Sequence, residues 1–100
     1  MFKHKFITRC IQMEIPINLV HILFEEIDKL VERKIEVDYL QVFNVKTLDL
    51  KTGLVEIIHS QEVPEYEMTI YIDKVNLERD LKIFVIDEND NATMMLAEEY

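Results

Sequence analysis

One hundred residues, 49% of them hydrophobic and 31% charged, with a net charge of −9, describe a single globular domain with an acidic surface. That composition is too apolar for a disordered chain, and no apolar run approaches the roughly 20 residues of a membrane-spanning helix. The lone cysteine, Cys10, excludes an intrachain disulfide and a cysteine-based zinc site, and the lone glycine, Gly53, excludes a glycine-rich phosphate loop.

The opening Met1-Phe2-Lys3-His4-Lys5-Phe6-Ile7-Thr8-Arg9 carries charge but no apolar stretch of the kind a secretory signal needs, which points to a cytoplasmic protein. In that reducing compartment Cys10 is expected to be a small buried apolar residue rather than a reactive thiol. Residues 3–8 read as a short strand and 9–15 as a turn or a short helical turn. Pro16 then stands where a helix begins, at a position whose missing N–H costs nothing. From 17 to 34 the pattern is helical. At 100° per residue, Leu19, Val20, Leu23, Phe24, Ile27, Leu30 and Val31 fall within an arc of roughly 140°. His21, Glu25, Asp28, Lys29 and Glu32 lie opposite, and Ile22 falls outside the apolar arc. Leu23, Ile27 and Leu30 are the expected core contacts.

After the helix the period becomes two. Residues 38–48 place Tyr39, Gln41, Phe43 and Val45 on one face and Leu40, Val42, Asn44 and Lys46 on the other. Lys51-Thr52-Gly53 closes a hairpin, with Gly53 supplying a positive φ, and 54–61 is the return strand. Pro64 interrupts it, since proline cannot donate to a ladder. Residues 67–73 form the next strand, with Met68, Ile70 and Ile72 on one face and Tyr71 among the polar residues of the other. A polar connection spans 74–80, a strand 81–86, a turn 88–91 and a last strand 93–98. The expected fold is α+β: one long helix packed on a largely antiparallel sheet of five or six strands, forming a single domain over residues 1–100. The expected sheet edges are the first strand and the last, where Met94, Met95 and Leu96 form an apolar stretch open to pairing.

Recognisable catalytic chemistry is missing. His4, His21 and His59 share no ligand spacing, and Ser60, adjacent to His59 in a strand, points to the opposite face. Asp87-Glu88-Asn89-Asp90-Asn91 has oxygen ligands suited to calcium but lacks the glycine and trailing glutamate of a calcium loop, so it reads as an acidic hairpin turn. No cofactor, metal site or enzymatic activity is expected. Charge is displaced along the chain: residues 1–61 hold nine acids against eight bases, whereas 62–100 hold eleven acids against Lys74, Arg79 and Lys82. Such a field repels nucleic acid and anionic membranes. The acids in connections, Glu62, Glu65, Glu78, Asp80, Asp87, Glu88 and Asp90, are expected to form an acidic edge, in part contiguous. The candidate protein-binding residues are Asp87, Glu88, Asp90, Glu78, Asp80 and Tyr71.

Several stretches carry a resemblance: Phe6-Ile7-Thr8-Arg9, Glu14-Ile15-Pro16, Ile27-Asp28, Asp38-Tyr39-Leu40-Gln41-Val42-Phe43, Ile58-His59-Ser60-Gln61-Glu62-Val63-Pro64-Glu65-Tyr66 and Leu96-Ala97-Glu98-Glu99-Tyr100. Together these resemble a small family of unknown function from staphylococci and other Firmicutes, with members on phages and mobile elements. The resemblance covers essentially the whole chain and implies no activity and no catalytic residue. Cys10 stands where that family has a small residue such as glycine, which argues further against a catalytic thiol. The functional expectation is a non-enzymatic acidic protein-interaction domain, in one form an antagonist of a basic nucleic-acid-binding protein. The alternatives are a structural homo-oligomer pairing through sheet edges, or a small-ligand-binding domain or enzyme. The partner expected is a basic protein, not nucleic acid or membrane, and the chain is expected to be a monomer or a weak homodimer.

Overall fold

The computed structural model describes residues 2–100. In chain order the described residues form β1 (His4–Ile7), α1 (Arg9–Glu14), α2 (Ile17–Glu32), β2 (Leu40–Asp49), β3 (Leu54–Gln61), β4 (Tyr66–Ile72), β5 (Leu81–Glu88), β6 (Asn91–Leu96) and a closing 3-10 turn (Ala97–Glu99). The six strands make one sheet in the order β1-β6-β5-β2-β3-β4.

Two expectations about this architecture are corrected. There are two helices rather than one, because Thr8 caps α1: its hydroxyl accepts from the Ile11 amide at 3.3 Å. The sheet is mixed rather than largely antiparallel, because β1 runs parallel to β6, pairing Lys5 with Ala92 and Ile7 with Met94. A hairpin cannot make such a pair; the two helices and four intervening strands separate its members. The first strand is an edge, as expected, but the last is not: β6 lies between β1 and β5, and the other edge is β4. Met94 and Leu96 face the core and are buried.

The helix α2 buries Leu19, Val20, Leu23, Phe24, Ile27 and Leu30, as its spacing dictates. Its ends follow backbone chemistry. Pro16 occupies the N-cap, and at the other end Lys34 adopts φ 60° so that Ile35 N–H reaches the Leu30 carbonyl at 2.9 Å and Lys34 N–H the Val31 carbonyl at 3.0 Å. Val31, placed by periodicity within the apolar arc, is instead exposed in the last turn of the helix, while Glu26 is buried and paired with Lys29. The opposing side of the core comes from Phe43 and Val45 of β2, Val55 and Ile57 of β3, Ile83 and Val85 of β5, and Met94 of β6. Residues 74–80 are less polar in effect than their composition suggests, because Val75 and Leu77 insert into the core. Their anchor is the hairpin at Gly53, whose carbonyl accepts from Val75 N–H at 3.0 Å. At the far end, Asn89 and Asp90 both take positive φ, the geometry of a two-residue turn matched to strand twist.

Candidate functional site

One layer of helix covers one face of the sheet and leaves the other open. Alternation decides which residues stand there. Register places Phe6 of β1, Thr93 and Met95 of β6, and Lys82, Phe84, Ile86 and Glu88 of β5 on the open side. Leu40, Val42, Asn44 and Lys46 of β2, Ile58 and Ser60 of β3, and Thr69 and Tyr71 of β4 complete it. Its apolar members are half-buried or exposed, and none reaches the burial of the helix-side core. The C-terminal Tyr100 turns back over this face, its ring meeting Phe84 edge-on with centroids 5.9 Å apart.

The expected site residues are distributed over this sheet rather than gathered. Asp80 and Glu88 flank opposite ends of β5, roughly 26 Å apart at strand rise. Asp87, Glu88 and Asp90 sit with the β5–β6 turn, whereas Glu78 and Asp80 lie with the connection at the other end. Several of these acids also have structural duties. Asp87 accepts from the Phe2 amide at 2.9 Å, and Asp80 accepts from the Thr47 amide at 3.1 Å. The Asp90 carbonyl accepts from His4 N–H at 3.0 Å. Tyr71 is exposed on the edge strand β4, its hydroxyl donating to Glu56 at 3.3 Å.

The turn end of the sheet also holds Glu62, which the sequence placed on the acidic edge, and Asp38, which it did not. Tyr39, exposed, separates two depressions in the open face. One, of about 510 Å³, is lined by Tyr39, Ile86, Asp87, Glu88, Met95 and Tyr100. The other, of about 280 Å³, is lined by Asp38, Tyr39, Leu40, Val42, Glu62 and Lys82. Asp87 N–H donates to the Tyr39 carbonyl at 2.9 Å, which ties β5 to the start of β2, and Asp38 accepts from Val63 N–H at 3.1 Å, which brings the segment after β3 to the same end.

On the covered side lies a buried polar cluster. Gln41, His59 and Gln61 are each no more than 4% exposed. Backbone groups determine its polarity. Gln61 Nε2 donates to the carbonyls of Glu36 and Pro64, both at 2.9 Å, so its Oε1 must accept, from Asp38 N–H at 3.0 Å and from Gln41 Nε2 at 2.7 Å. Gln41 Oε1 is thereby left to face His59 Nε2 at 2.6 Å, which makes that nitrogen the protonated one. The imidazole stacks on Phe43, with centroids 4.3 Å apart, and Tyr66 meets its edge. Burial pushes its pKa down to about 4, so the ring is neutral at pH 7. Ser60 faces the opposite side of the sheet from His59, as neighbours in a strand must.

Cys10 departs from expectation, for it is exposed on α1, where Ile11 takes the buried position. Local desolvation and then the carboxylate of Glu99, with Glu14 and Glu98 beyond it, raise the thiol pKa. Arg79 binds both oxygens of Glu14 at 2.9 and 2.8 Å and also Glu98 at 2.8 Å, so these acids serve to fasten α1 and the C-terminus to the 74–80 connection. Among the described residues no group of three or more His, Cys, Asp or Glu side chains is placed to hold a metal ion. No helix among them is long and apolar enough to cross a membrane.

The family described as "Staphylococcal protein of unknown function (DUF960)" matches residues 4–99. The chain belongs to this family. A solved structure of a protein of unknown function from Enterococcus faecalis superposes with a TM-score of 0.80, at 21% identity, covering 97% of this chain and 90% of that one. At that identity the likeness is one of fold. No curated protein matches the chain.

Proposed function

We propose that this DUF960 chain is a non-enzymatic protein-interaction domain that receives a basic protein at the acidic end of its open sheet face. One observation carries the reading: Asp38, Glu62, Asp87 and Glu88 border the two depressions on either side of the exposed Tyr39. Carboxylates at the rim steer a positively charged partner and speed encounter, while the neighbouring Ile86, Met95 and Tyr100 supply apolar area for contact. A partner whose own surface ordinarily holds nucleic-acid phosphates fits such a rim, and nucleic acid itself is repelled by it. The absence of catalytic function in this proposal is supported by the separation of His59 from Ser60 across the sheet and by the raised pKa of Cys10.

The test begins with affinity capture to identify the partner, followed by association kinetics with the purified pair. Charge reversal of Asp87, Glu88 and Asp90 to lysine slows association several-fold at low salt, with the circular dichroism spectrum unchanged. Because Asp87 also holds the Phe2 amide, a Glu62→Lys/Glu88→Lys variant repeats the measurement with that anchor intact. On-rates and salt dependence unaltered in both variants would remove the reading.

A further inference from the structure

We infer that the open face of the sheet is covered by a second copy of this chain, packed face to face about a two-fold axis that runs perpendicular to the strands. This goes beyond the basic-partner reading and rests on the face itself; the second copy and a basic partner would compete for Ile86, Met95 and Glu88.

The first ground is its composition. Phe6, Met95, Phe84, Ile86, Leu40, Val42 and Ile58 carry half-buried or exposed apolar surface across β1, β6, β5, β2 and β3, with no helix above them and only the exposed ring of Tyr100 turned against Phe84. The second ground is the order of side chains along β5. On the open side this strand presents Lys82, Phe84, Ile86 and Glu88 in succession. A two-fold axis perpendicular to the strands reverses the direction of the copy while keeping each strand over its counterpart. With the axis at Val85, Lys82 of each copy meets Glu88 of the other, and Phe84 meets Ile86. The strand is therefore complementary to its own reverse, with opposite charges at the ends and apolar residues between them. An axis parallel to the strands would instead set Lys82 on Lys82 and Glu88 on Glu88. Neighbouring strands agree with the first arrangement. Val85 lies opposite Gln41 in β2 and Met94 in β6, so the same axis brings Leu40 over Val42 and Thr93 over Met95.

Area is the third ground. Six strands at about 4.8 Å spacing and roughly seven residues of strand length give a footprint of roughly 550 Å² per copy, or about 1,100 Å² for the pair. Specific interfaces begin at about 1,000 Å². The pair is thus large enough to form and small enough to be reversible. Aligned sheets about 10 Å apart, crossing at about 30°, keep Lys82 within reach of its counterpart carboxylate.

Sedimentation velocity of the full chain across the micromolar range tests this. The unmodified chain shows a monomer–dimer equilibrium. Phe84→Glu abolishes the dimer. Lys82→Glu and Glu88→Lys each weaken it by roughly tenfold, since symmetry breaks two pairs at once, and the double variant Lys82→Glu/Glu88→Lys restores it. Circular dichroism reports folding of each variant, and if Phe84→Glu fails to fold the exposed charge swap decides alone. A chain that stays monomeric throughout overturns the inference. So does a dimer indifferent to Lys82→Glu, which would be held by another surface, or a double variant without recovery, which would refute the reversed arrangement. Lys82 lines the smaller depression but is not one of its carboxylates, and Lys82→Glu adds negative charge there, so its single variant breaks the dimer pair without removing a group that steers a basic partner.

Discussion

His59 Nε2 donates to Gln41 Oε1 across 2.6 Å, and the other ring nitrogen, Nδ1, is buried with no partner. A neutral ring satisfies this arrangement better than a charged one, whose second N–H would be buried without an acceptor. The folded pKa of about 4 lies below the unfolded value near 6.5. Between those two values the unfolded chain binds the proton and the folded chain does not, so stability present above about pH 6.5 declines as pH falls toward 4. The loss attributable to His59 is on the order of 3 kcal/mol. Urea titrations of the wild type and His59→Gln, compared at pH 7 and near pH 4, should show this component only in the wild type. Equal pH dependence in both would assign it elsewhere.

Gln61 is the hub of the same cluster, since one amide serves Glu36, Pro64, Asp38 and Gln41. Gln61→Leu keeps the volume and removes every one of those bonds. Each buried group left without a partner costs roughly 1–3 kcal/mol, so the variant should be among the most destabilising in the chain. Hydrogen exchange at the Asp38 amide should accelerate in it. An unchanged exchange rate there would argue that solvent already shares the bond.

The helix offers an internal contrast. Ile27 is 1% exposed and Val31 is 64% exposed. Ile27→Ala should cost roughly 2–5 kcal/mol, whereas Val31→Ala should change the unfolding midpoint little. Comparable losses for the two would mean that Val31 is covered in solution.

Gly53 combines φ +69° with a tight approach, for a Cβ there would lie 2.7 Å from Val75 N. Gly53→Ala is therefore strained in its own backbone and displaces the segment that inserts Val75 and Leu77. The expected loss exceeds about 1 kcal/mol, measurable as a fall in melting temperature. A neutral result would show that the hairpin and this segment move apart at no cost.

Cys10 is reachable but poorly ionised. The native thiol should react with iodoacetamide near pH 7.5 without prior unfolding, yet more slowly than a free cysteine, because only the thiolate attacks. Replacing Glu99 by Gln removes the nearest opposing charge and should speed the reaction. A native rate above that of free cysteine would contradict the raised pKa.

Much of the local organisation is written in residue order. Alternation assigned Tyr39, Gln41, Phe43 and Val45 to one face and Leu40 and Val42 to the other; the assignment holds within β2, whereas Tyr39, which precedes the strand, is exposed. It also set Tyr71 on the outer side of β4 and opposed Ser60 to His59. The signal for the buried cluster was present in the same pattern, for Gln41 shares its face with Phe43, and His59 and Gln61 share theirs with Val55 and Ile57. Their mutual bonding could not be read there, because it depends on β2 and β3 being neighbours in register.

What the sequence by itself determined is the set of choices governed by neighbouring residues: the spacing that makes α2 amphipathic, the positive φ at Gly53, the turn at Asn89-Asp90, and the face each strand residue takes. Tertiary structure alone decided which strands meet. Hydrogen bonds of β1 are satisfied by β6, from Lys5 opposite Ala92 to Ile7 opposite Met94, and no local pattern states a preference among distant partners. That one pairing took β6 off the edge of the sheet, put β1 there, and placed Phe6 beside Thr93 on the open face. Likewise Asp80 and Glu88 belong to one acidic stretch of chain but to opposite ends of the sheet, because an extended strand separates its termini by its full length.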